Sequence, residues 1–339
     1  MSAGAHGGGV WIVTTGTRLR RRIVLKRLRT TKTGGLMDAD GLVEFERHRP
    51  RLFALAYRML GSAAEAEDAV QETYLRWDAS DRTEIRSAEA WLTTLLVNQC
   101  RTWLDSARSR RETYVGPWLP EPVPTGRGEL GPLESAEQRE LVSMAFLALA
   151  ERLSPTERAV FVLREAFGYA HREIADMLGL TEANSQQVYR RAAHRVQEER
   201  PRFETAPAHA RELVEKFLSA AQSGDIAALE SMFTADIVAL ADGGAKVNAA
   251  KRPILGAEKV ARYLVGLFAK SAAMPDVTFA IQEVNAAPAF VVRMGETVIG
   301  TVSAAWSGES ISSVQVAVNP DKLAYFARHD REFAGETAV

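Results

Sequence analysis

The chain has a single cysteine, Cys100, so no internal disulfide can staple it. It has no apolar run close to the roughly 20 residues that span a bilayer. Val10 to Val13 is too short for the apolar core of a signal peptide, and the basic residues follow it instead of preceding it. These features fit a cytoplasmic protein with no membrane partner. Net charge is also nearly missing: 42 Lys and Arg face 43 Asp and Glu, leaving −1. A chain this neutral cannot hold a polyanion through its overall field. Any grip on phosphates must come from local clusters or from a partner.

What is present divides the 339 residues into blocks, more than one core accommodates comfortably. Residues 1–36 hold Gly7 to Gly9 and eight Arg and Lys between Arg18 and Lys32, with no acid, and read as a disordered basic extension. Met37 opens a segment of ordinary composition and is an alternative start. Residues 37–111 read as three helices. Phe45, Leu52, Leu55, Ala56 and Met59 mark the first, Ala64 to Trp77 is the second, and Ala88 to Arg111 is the third. Five prolines and four glycines between Gly116 and Pro132 make 112–134 a linker. Helices resume over 135–203, where Ser154-Pro155-Thr156-Glu157 is a helix start with cap, Pro in the first turn and an acid three residues on. Residues 207–330 begin with helices, the second expected to run from an Asp225 cap through Phe233, and a further helix covers Ala257 to Lys270. Strands are expected at Val277 to Val284, Ala289 to Met294, Thr297 to Trp306 and Ile311 to Val318. Helices followed by consecutive strands imply an α+β domain with an antiparallel sheet.

The stretch from Tyr169 to Arg195 carries the sharpest chemistry. His171 to Leu178 is a short amphipathic helix, Gly179 suits a turn that needs positive φ, and Thr181 can cap a helix from Glu182 to about Glu198. Val188, Ala192 and Val196 share one face, leaving Asn184, Ser185, Gln187, Arg190 and Arg191 outside. This is a helix-turn-helix pattern, whose second helix enters the major groove by its N-terminal end. Asn and Gln read adenine edges, and Arg reads guanine or holds phosphate. The plain alternative is a helical pair with a polar outer face. Arg101, Arg108, Arg110 and Arg111 end the third helix beside Trp91 and Trp103, a mixture that suits unstacked bases. The second helix carries Glu65, Glu67, Asp68 and Glu72, which should avoid DNA and suit a basic protein surface.

Ala66 to Trp77 resembles the polymerase-binding helix of sigma region 2.2, and Ala90 to Asp105 resembles regions 2.3 and 2.4. Leu153 to Arg158 with the helix-turn-helix resembles region 4. Their order and spacing over about 40–200 are similar to the extracytoplasmic-function, group IV, sigma factors. The C-terminal part resembles a SnoaL-like domain of the NTF2-like superfamily, an extension found in sigma factors of the J type. Trp118-Leu119-Pro120-Glu121-Pro122, Asp242-Gly243-Gly244-Ala245-Lys246 and Asn319-Pro320-Asp321-Lys322-Leu323 resemble that group's linker, loop and C-terminal motifs. Ala245 replaces a glycine, which would strain the loop if the site needs positive φ, and Ala170 stands where relatives often carry a capping Ser.

The resemblance implies two all-α domains, sigma region 2 and the region 4 helix-turn-helix, followed by an α+β NTF2-like cone. It implies core RNA polymerase and promoter DNA as partners and a role in transcription initiation. Asp68, Gln71 and Glu72 would contact polymerase. Asn98, Arg101, Arg108, Arg110 and Arg111 would engage the melted minus-ten element. Glu182, Asn184, Ser185, Gln187, Arg190 and Arg191 would face the minus-thirty-five element. Trp118 to Pro122, Asp242, Gly243, Gly244, Lys246 and Asn319 to Leu323 would be regulatory, converging so that the cone tunes the two DNA-binding domains in cis. The cone leaves room for a small ligand. No cofactor, metal or enzymatic activity is expected: the sequence has no His between His209 and His329, and Asp236, Asp242 and Glu283 form no recognisable acid–base pair. A helix-turn-helix regulator with a ligand domain and a cyclase or isomerase cone are the competing readings.

Overall fold

A computed structural model describes residues 39–126, 130, 136–199 and 209–334. The side chains of 39, 107–112, 136–137, 199 and 331–334 are not described. The basic extension expected over 1–36 therefore lies outside the described residues, as do the side chains of Arg108, Arg110 and Arg111. The described residues from Glu44 onward group as one compact unit.

Helix α1 (Ala39–Leu60), α2 (Ala63–Asp78) and α3 (Ala88–Glu112) form the first helical block. Leu52, Leu55, Met59, Leu60, Ala66, Val70, Leu92 and Leu96 are buried at helical spacing in its core. Helices α4 (Ala136–Glu140), α5 (Met144–Ala150), α6 (Pro155–Glu165), α7 (His171–Leu178) and α8 (Glu182–Glu199) form the second. At the start of α6 the Ser154 and Glu157 side chains cap each other's backbone reciprocally, with Pro155 at the first helical position. Gly179 ends α7 at φ 67°, the left-handed conformation that lets the chain turn sharply into α8. Ile174, Leu178, Val188, Ala192 and Val196 join the same buried cluster as α1 and α3, so the two helical blocks share a core.

The C-terminal domain holds α9 (Ala210–Ser223), α10 (Ile226–Ser231), β1 (Phe233–Asp242), β2 (Ile254–Leu255), α11 (Ala257–Ala272), β3 (Val277–Val284), β4 (Ala287–Met294), β5 (Thr297–Ser307), β6 (Ser310–Ala317) and α12 (Pro320–Ala334). Sheet order is β2-β1-β6-β5-β4-β3. One face carries Phe290, Val302, Val314 and Val316 against Val214 and Phe217 of α9 and Leu264 and Phe268 of α11. On the other, Val291, Val298 and Ala289 pack against Leu323 and Phe326 of α12.

Two expectations need correction. The second helix of this domain ends at Ser231, and Phe233 opens β1 instead of ending a helix. The switch was hidden because Leu229, Met232 and Phe233 keep helical spacing right up to the strand, while only the alternation from Phe233 to Asp242 betrays the new period. The sheet is mixed, not antiparallel: β1 runs parallel to β6, because α11 and four strands intervene before the chain returns beside it. The Pro-rich linker packs against its neighbours. Leu119, Glu121, Val123 and Thr125 are buried, and Pro124 forms a bridge with Val284. A Pro-rich strand fits at the edge strand β3, where its missing N–H breaks no ladder.

Helix α7 lacks a capping side chain: Ala170 occupies the N-cap, and only Glu173 Oε2 reaches back, accepting from Ala170 N at 2.8 Å. Ala170→Ser should supply the missing acceptor and add about 1 kcal/mol. A raised midpoint of urea unfolding and slower amide exchange in α7 would register it.

Candidate DNA, polymerase and regulatory surfaces

The helix-turn-helix presents a polar outer face. Glu182, Asn184, Gln187, Arg190 and Arg191 are exposed along α8. Ser185 is not on that face: it is buried, and its hydroxyl lies 3.1 Å from His171 Nδ1. The helical wheel placed Ser185 outside, but α7 packs across that side of α8. Burial lowers the pKa of His171, keeping the ring neutral against Ser185 and edge-on to Tyr189. Glu157 in α6 accepts from Arg195 at 2.7 Å, with Arg191 4.0 Å away, tying α8 to the preceding helix.

On α2, Asp68 and Gln71 are exposed, and Glu72 pairs with Arg76 one turn on at 2.6 Å. The acidic face is therefore presented outward. Asn98 and Arg101 on α3 are occupied. Asn98 Nδ2 donates to Met177 O at 2.9 Å; Arg101 donates to Thr156 Oγ1 at 3.1 Å and to Leu178 O at 3.5 Å. These carbonyls end α7, where a helix carries partial negative charge and welcomes a guanidinium. Trp91 and Trp103 are half-buried against the core, Trp91 packing 5.7 Å from Trp77.

The three motifs of the linker, the β1 loop and the C-terminal helix meet at one buried carboxylate. Asp242, at the end of β1, accepts from Lys322 Nζ at 2.6 Å, Tyr114 OH at 2.6 Å, Leu119 N at 2.8 Å and Gly244 N at 3.1 Å. Lys322 also donates to Leu119 O and sits 3.9 Å over the Trp118 ring. Asn319 Nδ2 donates to Tyr114 OH at 2.8 Å. Burial first, and then the bond to Asp242, raise the pKa of Tyr114 and keep it a donor. Lys246 and Asp321 close the outside at 2.6 Å, where both are exposed and contribute little.

Glu121 carries the linker onto the first helical block. Its carboxylate accepts from Ser62 Oγ at 2.7 Å and Ala64 N at 3.0 Å, capping the start of α2. Burial raises its pKa while those two bonds oppose the rise. Beside it two arginines are buried. Arg158 bonds Glu151 at 2.5 Å and Arg58 O at 3.1 Å, and burial lowers its pKa to about 9 and that of Arg58 to about 10.

A residue absent from the sequence reading joins all parts. Asn285 occupies the tight β3–β4 turn at φ 52°. Its N–H donates to Val123 O at 2.9 Å and its Oδ1 accepts from Val123 N at 3.0 Å. Its Nδ2 donates to Tyr57 OH at 2.6 Å and Val142 O at 2.7 Å. One amide thus touches α1, the linker and the segment before α5. Asn before a small residue between two apolar runs was the available turn signal; its long-range bonds, to partners as far as 228 positions away, had none. Helix α12 adds Arg328 to Glu67 of α2 at 2.9 Å and Tyr325 stacked on Phe53 at 5.7 Å.

Of the candidate acid–base groups, Asp242 is held by Lys322, Glu283 by Thr125 at 2.9 Å and Arg139 at 3.1 Å, and Asp236 is exposed. No cluster of His, Cys, Asp or Glu able to hold a metal occurs among the described residues.

Positive φ in the β1 loop falls on Gly244, at 56°, not on Ala245, so the Ala replacement brings no strain. Gly243 and Gly244 are both intolerant: a Cβ would collide with Val247 O and Ala249 at Gly243, and with Asn319 Nδ2 at Gly244. Gly243→Ala should lower the thermal midpoint by several degrees, whereas Ala245→Gly should shift it by no more than about 1 kcal/mol equivalent; scanning calorimetry of both variants checks the contrast.

Comparison with known proteins agrees with this architecture. Residues 45–110 match the family described as Sigma-70 region 2, residues 143–195 match Sigma-70, region 4, and residues 214–318 match the SnoaL-like domain. The chain is 39% identical to the ECF RNA polymerase sigma factor SigJ of Mycobacterium tuberculosis over 226 residues, covering 66% of this chain and 72% of the relative. It is 27% identical to the probable ECF RNA polymerase sigma factor SigI of the same species over 281 residues, covering 81% and 92%. The crystal structure of SigJ superposes with a TM-score of 0.65 at 32% identity, covering 84% of this chain and 98% of that one. Two helical sigma blocks in this order, followed by a mixed-sheet SnoaL-like domain, place the chain in the family of ECF RNA polymerase sigma factors, whose work is promoter recognition and transcription initiation.

Proposed function

We propose that this sigma factor binds core RNA polymerase through α2 and promoter DNA through α3 and α8, acts in the cytoplasm, and is regulated in cis by its SnoaL-like domain without catalysing a reaction. This arrangement of the three surfaces is the closed state. The observation that carries this reading is the engagement of Asn98 and Arg101 by Met177 O, Leu178 O and Thr156, which leaves neither side chain free for a melted strand. Asp68 and Gln71 remain exposed. Polymerase docking precedes promoter reading: the acidic face is presented while the minus-ten face is covered. The Asp242 junction and the Asn285 turn hold the closed state, since each crosses from the C-terminal domain to the linker, and Asn285 reaches both helical blocks.

The overall charge fits. A neutral factor contributes a few placed arginines and leaves most phosphate neutralisation to its partner. In α8, Asn184 and Gln187 read base edges while Arg190 and Arg191 hold backbone or guanine.

Asp68→Ala with Gln71→Ala should weaken binding to core polymerase about tenfold or more, roughly 1.4 kcal/mol. A pull-down at low salt reads this, and a wild-type chain with no affinity for core enzyme would remove the sigma reading and favour a free-standing regulator. Asn285→Ala breaks the turn's bonds to Tyr57 and Val142 together. It should raise run-off transcription from the full-length factor without changing α2; so should truncation after residue 205, which also frees the linker. Unaltered output and promoter choice in both would end the regulatory proposal.

A further inference from the structure

An open cavity of about 360 Å³ lies where the start of the linker crosses the loop that leaves β1. Val115 and Gly116 line it from the linker, and residues 243–251 line it from the loop. Gly116, at φ 86°, lets the two backbones approach: a Cβ there would sit 3.6 Å from Lys251 Cα. Both walls are held by the same carboxylate. Asp242 accepts from Tyr114 OH, one residue before Val115, and from Gly244 N in the loop. The cavity is therefore complete only while the linker is docked on the C-terminal domain.

Its lining is apolar and cationic. Val115 is 44% exposed and Val247 41%, and both line the cavity with Ala249 and Ala250. One exposed valine is ordinary; two gathered on one hollow leave apolar surface for a ligand to cover. The lining also holds Lys246 and Lys251 and no acid. Lys251 is exposed and has no carboxylate partner among the described residues. Lys246 is held only by Asp321, in an exposed pair that solvent keeps weak. Arg252 adds an exposed cation next in the chain. Asp242, behind the loop, is already matched by Lys322. The charge that the cavity lacks is negative, and its volume is that of a small-molecule site.

We propose that this cavity is an effector site for a small amphiphilic anion, a carboxylate or phosphate head on a short apolar body. Lys251 and Lys246 take the head, and Val115 and Val247 cover the body. The consequence rests on the closed-state reading. A ligand that touches linker and loop at once binds the docked linker and not the released one, so it shifts the factor toward the closed state. At ten times its dissociation constant it favours that state roughly elevenfold, and run-off transcription falls with it.

The test titrates hexanoate and hexyl phosphate into the full-length protein by calorimetry, with hexylammonium as the cationic control and acetate as the head without its body. The expected result is saturable binding of a hexyl anion, about tenfold weaker or more for both controls and for Lys251→Glu. The stronger of the two anions names the head. Lys251 is exposed, so the variant should keep the wild-type thermal midpoint. Crystals of the unmodified protein soaked in the same anions give a second readout that needs no variant, with the head expected beside Lys251. No saturable binding, equal response to hexylammonium, or binding unchanged in Lys251→Glu would overturn the site. Run-off transcription and core-polymerase binding on the same preparations keep the ideas apart. Polymerase binding without probe binding removes only this site. Probe binding that leaves transcription unchanged or raises it overturns the closing effect. Probe binding by a chain without affinity for polymerase removes the sigma reading and leaves the site standing.

Discussion

A fully buried carboxylate must have its charge matched, and Asp242 is matched only when the three distant motifs are assembled around it. Its oxygens take an ammonium from α12, a phenol and a backbone N–H from the linker, and a backbone N–H from its own loop. Removing one partner of such a pair leaves an uncompensated charge out of water, a loss of about 3–5 kcal/mol. The network therefore behaves as one unit. It fixes where the linker runs across the sheet, and so where Glu121 meets α2 and Val123 meets Asn285.

Everything that closes the helical blocks on one another follows from that path. The linker delivers the Glu121 cap to the start of α2, and the β3–β4 turn delivers an amide to Tyr57 and Val142. With α1, the linker and the segment before α5 held, α3 meets the C-terminal end of α7, and Asn98 and Arg101 find carbonyl acceptors. The same junction buries Arg58 and Arg158, whose lowered pKa values record how poorly the site solvates charge.

Local signals in the chain were strong where one period or one cap governs. The three helices of the first block, the Ser154–Glu157 cap, the Gly179 turn and strands β3 to β6 all follow from spacing and turn chemistry. Signals failed where a neighbour in space decided. Ser185 sits on the outer arc of an isolated α8, and only the packing of α7 buries it. The sequence read Phe233 as the end of a helix because burial on one side looks alike in both periods over four residues.

The amino-acid sequence by itself determined the order of the blocks, the family, the polar face of α8, the acidic face of α2 and the three motifs that would meet. Each of these is a matter of residue type at a local spacing. Tertiary structure alone decided that Asp242 is the point of convergence, that Asn285 ties both helical blocks to the linker, and that Asn98 and Arg101 face α7. Those are choices of partner between groups tens to hundreds of positions apart. Backbone carbonyls and N–H groups are alike at every residue, so only the fold selects which ones answer a given side chain.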